Sequence, residues 1–202
     1  MVITMEEDIF KQRESSYCYE NSNVLINRLN IQEYKQLQKY DAKITAAKLL
    51  SLRQKGITGD FDKKHFIAIH RYLFEDIYPF AGQFRKENIA KGEFRFAEWE
   101  YIEGELERLL LQLKEENYLE GMNKQKLAER LAYYVSELNV LHPFREGNGR
   151  TIREFIRQLA LKNGYQLNLK KVSPHVTLEA SIRSIIDIHD LVQIMEECLE
   201  KK

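Results

Sequence analysis

The chain has 202 residues, enough for one domain with a core of its own and no need of a disulfide or metal staple. Lysine plus arginine equal aspartate plus glutamate at 31 each, which argues against bulk nucleic-acid binding, where a basic surplus is usual. Cys18 and Cys198 lack metal-type spacing, and neither a secretory signal nor an apolar run of about 18 residues is visible, so a cytoplasmic protein with no membrane partner is expected.

Only nine glycines and three prolines interrupt the chain, so long helices with short connections are the default. Residues 1–30 show no clear period and read as an N-terminal segment; residues 31–202 read as the main domain. The spacing predicts a helix from about Ile31 to Arg53 with Leu37, Ile44, Ala47 and Leu50 on one face. Asp62 can cap the next helix, which carries Phe66, Ile69 and Leu73. From Ile77 to Phe96 aromatic residues alternate with glycines, and Gln83–Ile89 with Glu93–Phe96 are expected to pair as a hairpin around Lys91-Gly92. The aromatics there read as hydrophobic anchors, since a base-stacking platform would come with a basic surplus.

Apolar stripes predict further helices over Glu98–Asn117, Lys124–Val140 and Arg150–Lys162, the last stopped by Asn163-Gly164. Ser173-Pro174 is a start signal, and two more helices split near Asp187 are expected to run to the end. The expected fold is mainly α, a bundle of roughly six to eight helices with one small β-hairpin.

The chemistry concentrates in the loop between the helices ending near Val140 and beginning near Arg150. A helix N-terminus offers unpaired N–H groups and positive potential, and Gly147 and Gly149 allow close backbone approach, so Gly147, Asn148 and Gly149 suit phosphate. Arg150 and Arg153 lie one turn apart and can hold phosphate oxygens in bidentate fashion. Glu146 is a hard oxygen ligand beside those phosphates, as Mg²⁺ requires. His142 has a near-neutral ordinary pKa and suits a general base. His65, His70, His175 and His189 lack a shared metal spacing and read as packing or surface histidines.

The stretch His142-x-Phe144-x-Glu146-Gly147-Asn148-Gly149-Arg150-x-x-Arg153 resembles in full the Fic family signature HxFx(D/E)GNGRxxR. His70–Arg85 is similar to the segment before the family's flap, and Asn88–Ala97 to the flap itself; the likeness spans roughly 17–200. The resemblance implies a Fic-fold protein adenylyltransferase that moves AMP from ATP onto a Ser, Thr or Tyr hydroxyl of a target protein. It implies His142 as base, Glu146 holding Mg²⁺, Gly147, Asn148 and Gly149 cradling phosphates, and Arg150 and Arg153 neutralising the leaving half. Phe144 would anchor the loop, and Lys91, Gly92, Glu93 and Phe94, in a flap over about 84–97, would dock the target by strand pairing. The related Doc kinases transfer the γ-phosphate, and their loop departs from the GNGR form; Gly149 favours AMP transfer here. The alternatives are a different phosphate-containing donor, removal of AMP, and a nucleotide-binding toxin module of a toxin–antitoxin pair.

Many Fic proteins carry an inhibitory helix with the pattern (S/T)xxxE(G/N), whose glutamate pairs with the second signature arginine. Ser16-Tyr-Cys-Tyr-Glu20-Asn21 matches it, and the resemblance implies Glu20 as the glutamate that would pair with Arg153. The same stretch also resembles the opening, core-forming segment of members restrained by a separate small antitoxin protein, and both readings stand at this point.

Overall fold

Side-chain caps set the start of four helices. Glu33 accepts from Lys35 and Gln36 N–H, Asp62 from His65, Asn123 from Lys126 and Ser173 from Val176, each satisfying donors that a helix start leaves unpaired. The computed structural model describes residues 15–92 and 94–202. The described helices are α1 Tyr34–Lys55, α2 Lys63–Phe74, α3 Ile102–Glu115, α4 Lys124–Leu141, α5 Asn148–Lys162, α6 Pro174–Arg183 and α7 His189–Cys198. Two antiparallel strand pairs accompany them, β1 Ala90–Lys91 with β2 Phe94–Arg95, and β3 Tyr165–Leu167 with β4 Leu199–Lys201.

Helix α4 is the centre of the bundle and packs against α3, α5, α6 and α7, while α5 also packs on α2. Phe66, Leu73, Phe74, Leu106, Leu131, Leu138, Phe155 and Ile156 form the middle of one continuous core and are fully buried. The loop between α4 and α5 is therefore held by two helices whose inner faces are both committed to the core.

Four expectations are corrected. The first flap strand is Ala90–Lys91 instead of Gln83–Ile89, because Phe84 to Glu87 are used elsewhere: Arg85 N–H donates to the Pro143 carbonyl at 2.9 Å and its side chain is buried. Glu93 lies outside the described residues. The chain end is strand β4 and not helix, since Gly164 (φ 80) turns the chain after α5 so that Tyr165–Leu167 run beside Leu199–Lys201.

Helix α1 buries only part of the apolar stripe read from its sequence, Leu37 with Ile44 packed against the core. Leu50 is 64% exposed and Ala47 is exposed, whereas Asp41 and Thr45 are buried beside Leu37 and Leu52. The inward face carries Asp41 and Thr45 among its leucines because it meets an arginine, described below.

Ser16–Asn21 form no helix. Tyr19 N–H donates to Val24 and Ile26 N–H to Tyr17, giving an antiparallel bridge between Cys18 and Leu25, with Asn21 at φ 55 in the turn. These cross-chain bonds use the backbone groups that a helix would need. Val24, Leu25 and Asn27 are buried in the main core, and Tyr17 stands edge-on to Phe80 with ring centroids 5.3 Å apart.

Candidate active site

His142 ends α4 in the left-handed region, φ 46 and ψ 61, an unfavourable conformation for a residue with a Cβ. Buried Arg85 holds it there. Its Nε donates to the His142 carbonyl at 2.8 Å, and its two Nη atoms donate to the carbonyls of Glu87, Ala97 and Leu141. A cation among the last carbonyls of a helix also meets the negative end of the helix dipole. Burial lowers Arg85 to about 10, which leaves it charged at neutral pH. The flap is tied to the same point by Ala97 N–H donating to Val140 at 3.1 Å and by Phe96 stacking on the His142 ring at 3.9 Å.

The imidazole lies 3.2 Å from the Asn139 carbonyl through Nδ1. A carbonyl only accepts, so Nδ1 carries the hydrogen and Nε2 keeps its lone pair. Burial holds the ring neutral, with its pKa lowered to about 4. His142 is thus a neutral, oriented proton acceptor.

The loop that follows is locked by its own residues. Asn148 Oδ1 accepts from Phe144 N–H at 2.8 Å and its Nδ2 donates to the Phe144 carbonyl at 2.7 Å. Phe144 is fully buried between the rings of His70, 3.6 Å away, and Phe66, 5.7 Å away. His70 accepts Gly82 N–H at Nδ1 (2.8 Å), so Nε2 carries the hydrogen and donates to the Glu146 carbonyl at 2.9 Å. Burial lowers the His70 pKa to about 3. Gly147 sits at φ 83, and a Cβ there would lie 2.3 Å from Phe74 Cζ. Arg145 is buried and donates to Glu87 at 2.7 Å, which also accepts from Ser15.

The two signature arginines differ sharply. Arg150 reaches back to α1: one Nη donates to Asp41 and to Thr45 Oγ1, the other to Asp41 Oδ2 and to Glu146 Oε1 at 3.2 Å. Its guanidinium lies 4.6 Å from the Phe74 ring centre. Four of its five N–H donors are taken, so bidentate phosphate binding would require breaking part of this set. Arg153 is exposed and makes no ion pair among the described residues. Its head folds over Gly149, where a Cβ would meet Nη1 at 3.0 Å. Partial loss of water around its head, and after it the Arg150 charge, lower its pKa.

A model of the Fic/DOC family matches residues 60–160. The chain is 37% identical over 174 residues to the probable protein adenylyltransferase Fic of Escherichia coli K12, covering 86% of each. The chain belongs to the Fic/DOC family. It is also 36% identical over 179 residues to the protein adenylyltransferase VbhT of Bartonella schoenbuchensis, and spans 37% of that longer protein's length. The solved N-terminal Fic domain of a putative cell filamentation protein from Bartonella quintana, crystallised with bound ADP, superposes with a TM-score of 0.85 at 27% identity, covering 92% of this chain and 95% of that one.

In this Fic/DOC chain the signature from His142 to Arg153 is one continuous corner, α4–loop–α5. Lys91, Gly92 and Phe94 sit on the hairpin whose following residues are pinned to the end of α4. Ser16 and Glu20 are exposed, and among the described residues Glu20 makes no ion pair. The Asn148 side chain spends its oxygen and one N–H on the Phe144 backbone, and the backbone N–H groups of 148–149 lie in the first turn of α5, where a helix offers unpaired donors.

Asp41, Tyr78, His70 and Arg85 were not singled out by periodicity. Asp41 looks like one more charge on a polar helix, and the others like parts of an aromatic run. The segment His70–Arg85 was legible only through its likeness to the family.

Proposed function

We propose that this chain transfers AMP from ATP to a hydroxyl group of a target protein. The observation that carries the reading is the Nε2 lone pair of a half-buried, oriented His142 at the head of a signature loop that ends in a helix N-terminus. The names of the relatives and the ADP held by a similar fold support it.

In this reading His142 Nε2 removes the proton of a target Ser, Thr or Tyr hydroxyl. The target oxygen bonds to the α-phosphorus, the bond from that phosphorus to the oxygen bridging to the β-phosphate breaks, and pyrophosphate leaves. The first N–H groups of α5 meet phosphate oxygens, Gly147 and Gly149 keep the approach clear, and Arg153 meets the leaving half. Arg150 contributes chiefly by holding Glu146.

Glu146 suits Mg²⁺. Oε1 is held by Gly147 N–H at 2.8 Å and by Arg150, while Oε2 receives no donor from the described residues. Mg²⁺ is usually held by one or two carboxylates together with the substrate phosphates, and Glu146 would supply the carboxylate. The ion supplies charge neutralisation on the phosphates. The hairpin carrying Lys91, Gly92 and Phe94 docks an extended target segment by strand addition, a mode that sets register without reading side chains. Exposed Arg153 is where a glutamate from a separate inhibitory protein would act. A cytoplasmic setting fits the ATP donor, and no helix of the described residues is long and apolar enough to cross a membrane.

Lysate incubated with ATP labelled at the α-phosphate gains label on protein, and ATP labelled at the γ-phosphate gives none. Label from the γ position alone would replace this reading with phosphorylation. Tight ATP binding with neither label would replace it with a nucleotide-binding toxin module.

A further inference from the structure

One polar chain in the structure crosses from the surface helix α1 to the signature loop. Tyr78 Oη donates to Asp41 Oδ2 at 2.8 Å. Asp41, whose side chain is 8% exposed, accepts from both Nη atoms of Arg150 in fork fashion. Thr45, one turn along α1, accepts from the same guanidinium at 3.1 Å. Arg150 then passes one N–H to Glu146 Oε1, which also takes the Gly147 N–H.

Burying a carboxylate is costly, and a helix face facing a core is ordinarily apolar. Helix α1 instead turns Asp41 and Thr45 inward and leaves Leu50 outside. An aliphatic face would bind α1 to the core equally well, so the polar face answers to something besides attachment. Its effect is to fix the guanidinium plane, with Phe74 beneath it, and so to fix which oxygen of Glu146 is spoken for.

We propose that Asp41 is a positioning residue which, through Arg150, orients the Glu146 carboxylate so that Oε2 faces the divalent cation of the bound nucleotide. This rests on the reading of Glu146 as the residue that holds Mg²⁺. Without the Asp41 charge Arg150 turns its full attraction on Glu146, draws both carboxylate oxygens to itself and competes with the cation. The three groups Asp41, Arg150 and Glu146 sum to one negative charge, and loss of Asp41 removes it from beside the metal. Partners that orient a metal ligand typically contribute about 10- to 100-fold to metal affinity.

The test is nucleotide binding, independent of turnover. Affinity for a fluorescent ATP analogue is measured in EDTA and across a Mg²⁺ titration. Asp41→Asn is expected to raise the Mg²⁺ concentration at the midpoint by about tenfold or more while leaving affinity in EDTA unchanged. Tyr78→Phe, which keeps every charge and removes only one hydrogen bond, is expected to move the midpoint the same way by a smaller factor, and stands in should Asp41→Asn fold poorly. Glu146→Gln is the reference. An unmoved midpoint in Asp41→Asn beside a moved one in Glu146→Gln overturns the proposal and leaves the Glu146 assignment standing. An unmoved midpoint in both variants overturns that assignment and the proposal with it. An equal loss of affinity with and without Mg²⁺ in Asp41→Asn overturns it too, since that is the mark of a damaged scaffold.

Discussion

Gly147→Ala separates backbone geometry from ligand contact in the signature loop. Two costs follow from the structure. The residue sits at φ 83, where a Cβ costs about 1–2 kcal/mol. The new methyl would lie 2.3 Å from Cζ of Phe74, a fully buried ring that also carries the Arg150 guanidinium, so the ring must shift by more than an ångström. Overpacking of that kind costs about 1–3 kcal/mol. The sum, about 2–5 kcal/mol, is a large part of the about 5–15 kcal/mol that a folded domain has in hand. Urea unfolding of Gly147→Ala, Phe74→Leu and the double variant divides the terms. The double variant is expected to be less destabilised than the sum of the singles by about 1–3 kcal/mol, because the ring is no longer there to clash. ATP binding falls in Gly147→Ala, since the displaced ring carries Arg150 with it. A Gly147→Ala cost under about 0.5 kcal/mol, or singles that add within about 0.5 kcal/mol, would refute the reasoning.

Three further outcomes are expected. His142→Ala abolishes transfer of α-label at unchanged ATP affinity; in the unmodified enzyme kcat/KM is flat near neutrality and falls only as pH drops through about 4, because burial holds His142 low, and an acidic limb near 6.5 would contradict this. Asn148→Ala leaves the buried N–H and carbonyl of Phe144 unpaired, for a stability loss of about 2–4 kcal/mol by urea unfolding, whereas a residue that touched only phosphate would show none. His70 has its folded pKa lowered to about 3, so the unfolded chain takes up a proton as pH falls through about 6.5 and the folded chain does not. Its share of stability is therefore intact above pH about 6.5 and is lost on acidification by up to about 1.4 kcal/mol per pH unit; His70→Gln should flatten that slope between pH 7 and 5.

Helices α2, α4 and α5 were legible from the sequence because their inward faces are apolar, with local end signals at Asp62 and Asn163-Gly164. The bounds of α1 were legible, but its inward face was not. Hydrophobic periodicity records only which residues leave water, and Asp41 and Thr45 leave it to meet a charge contributed by α5. The flap strands were displaced for a similar reason. Arg85, which no sequence pattern singled out, is buried under the end of α4 by four carbonyls that only the fold assembles. At Ser16–Asn21 an inhibitory helix and a core-forming opening segment both fitted the pattern, and the bridge between Cys18 and Leu25 folds the stretch as a turn.

By itself the sequence determined the Fic/DOC signature, the helix–loop–helix that presents it and His142 as the candidate base, because each depends on residue type at fixed short spacing. Only the tertiary structure told the two arginines apart. Arg150 and Arg153 are equal by spacing, but α1 lies within reach of one and not the other, so Asp41 binds Arg150 into the scaffold and leaves Arg153 exposed beside Gly149.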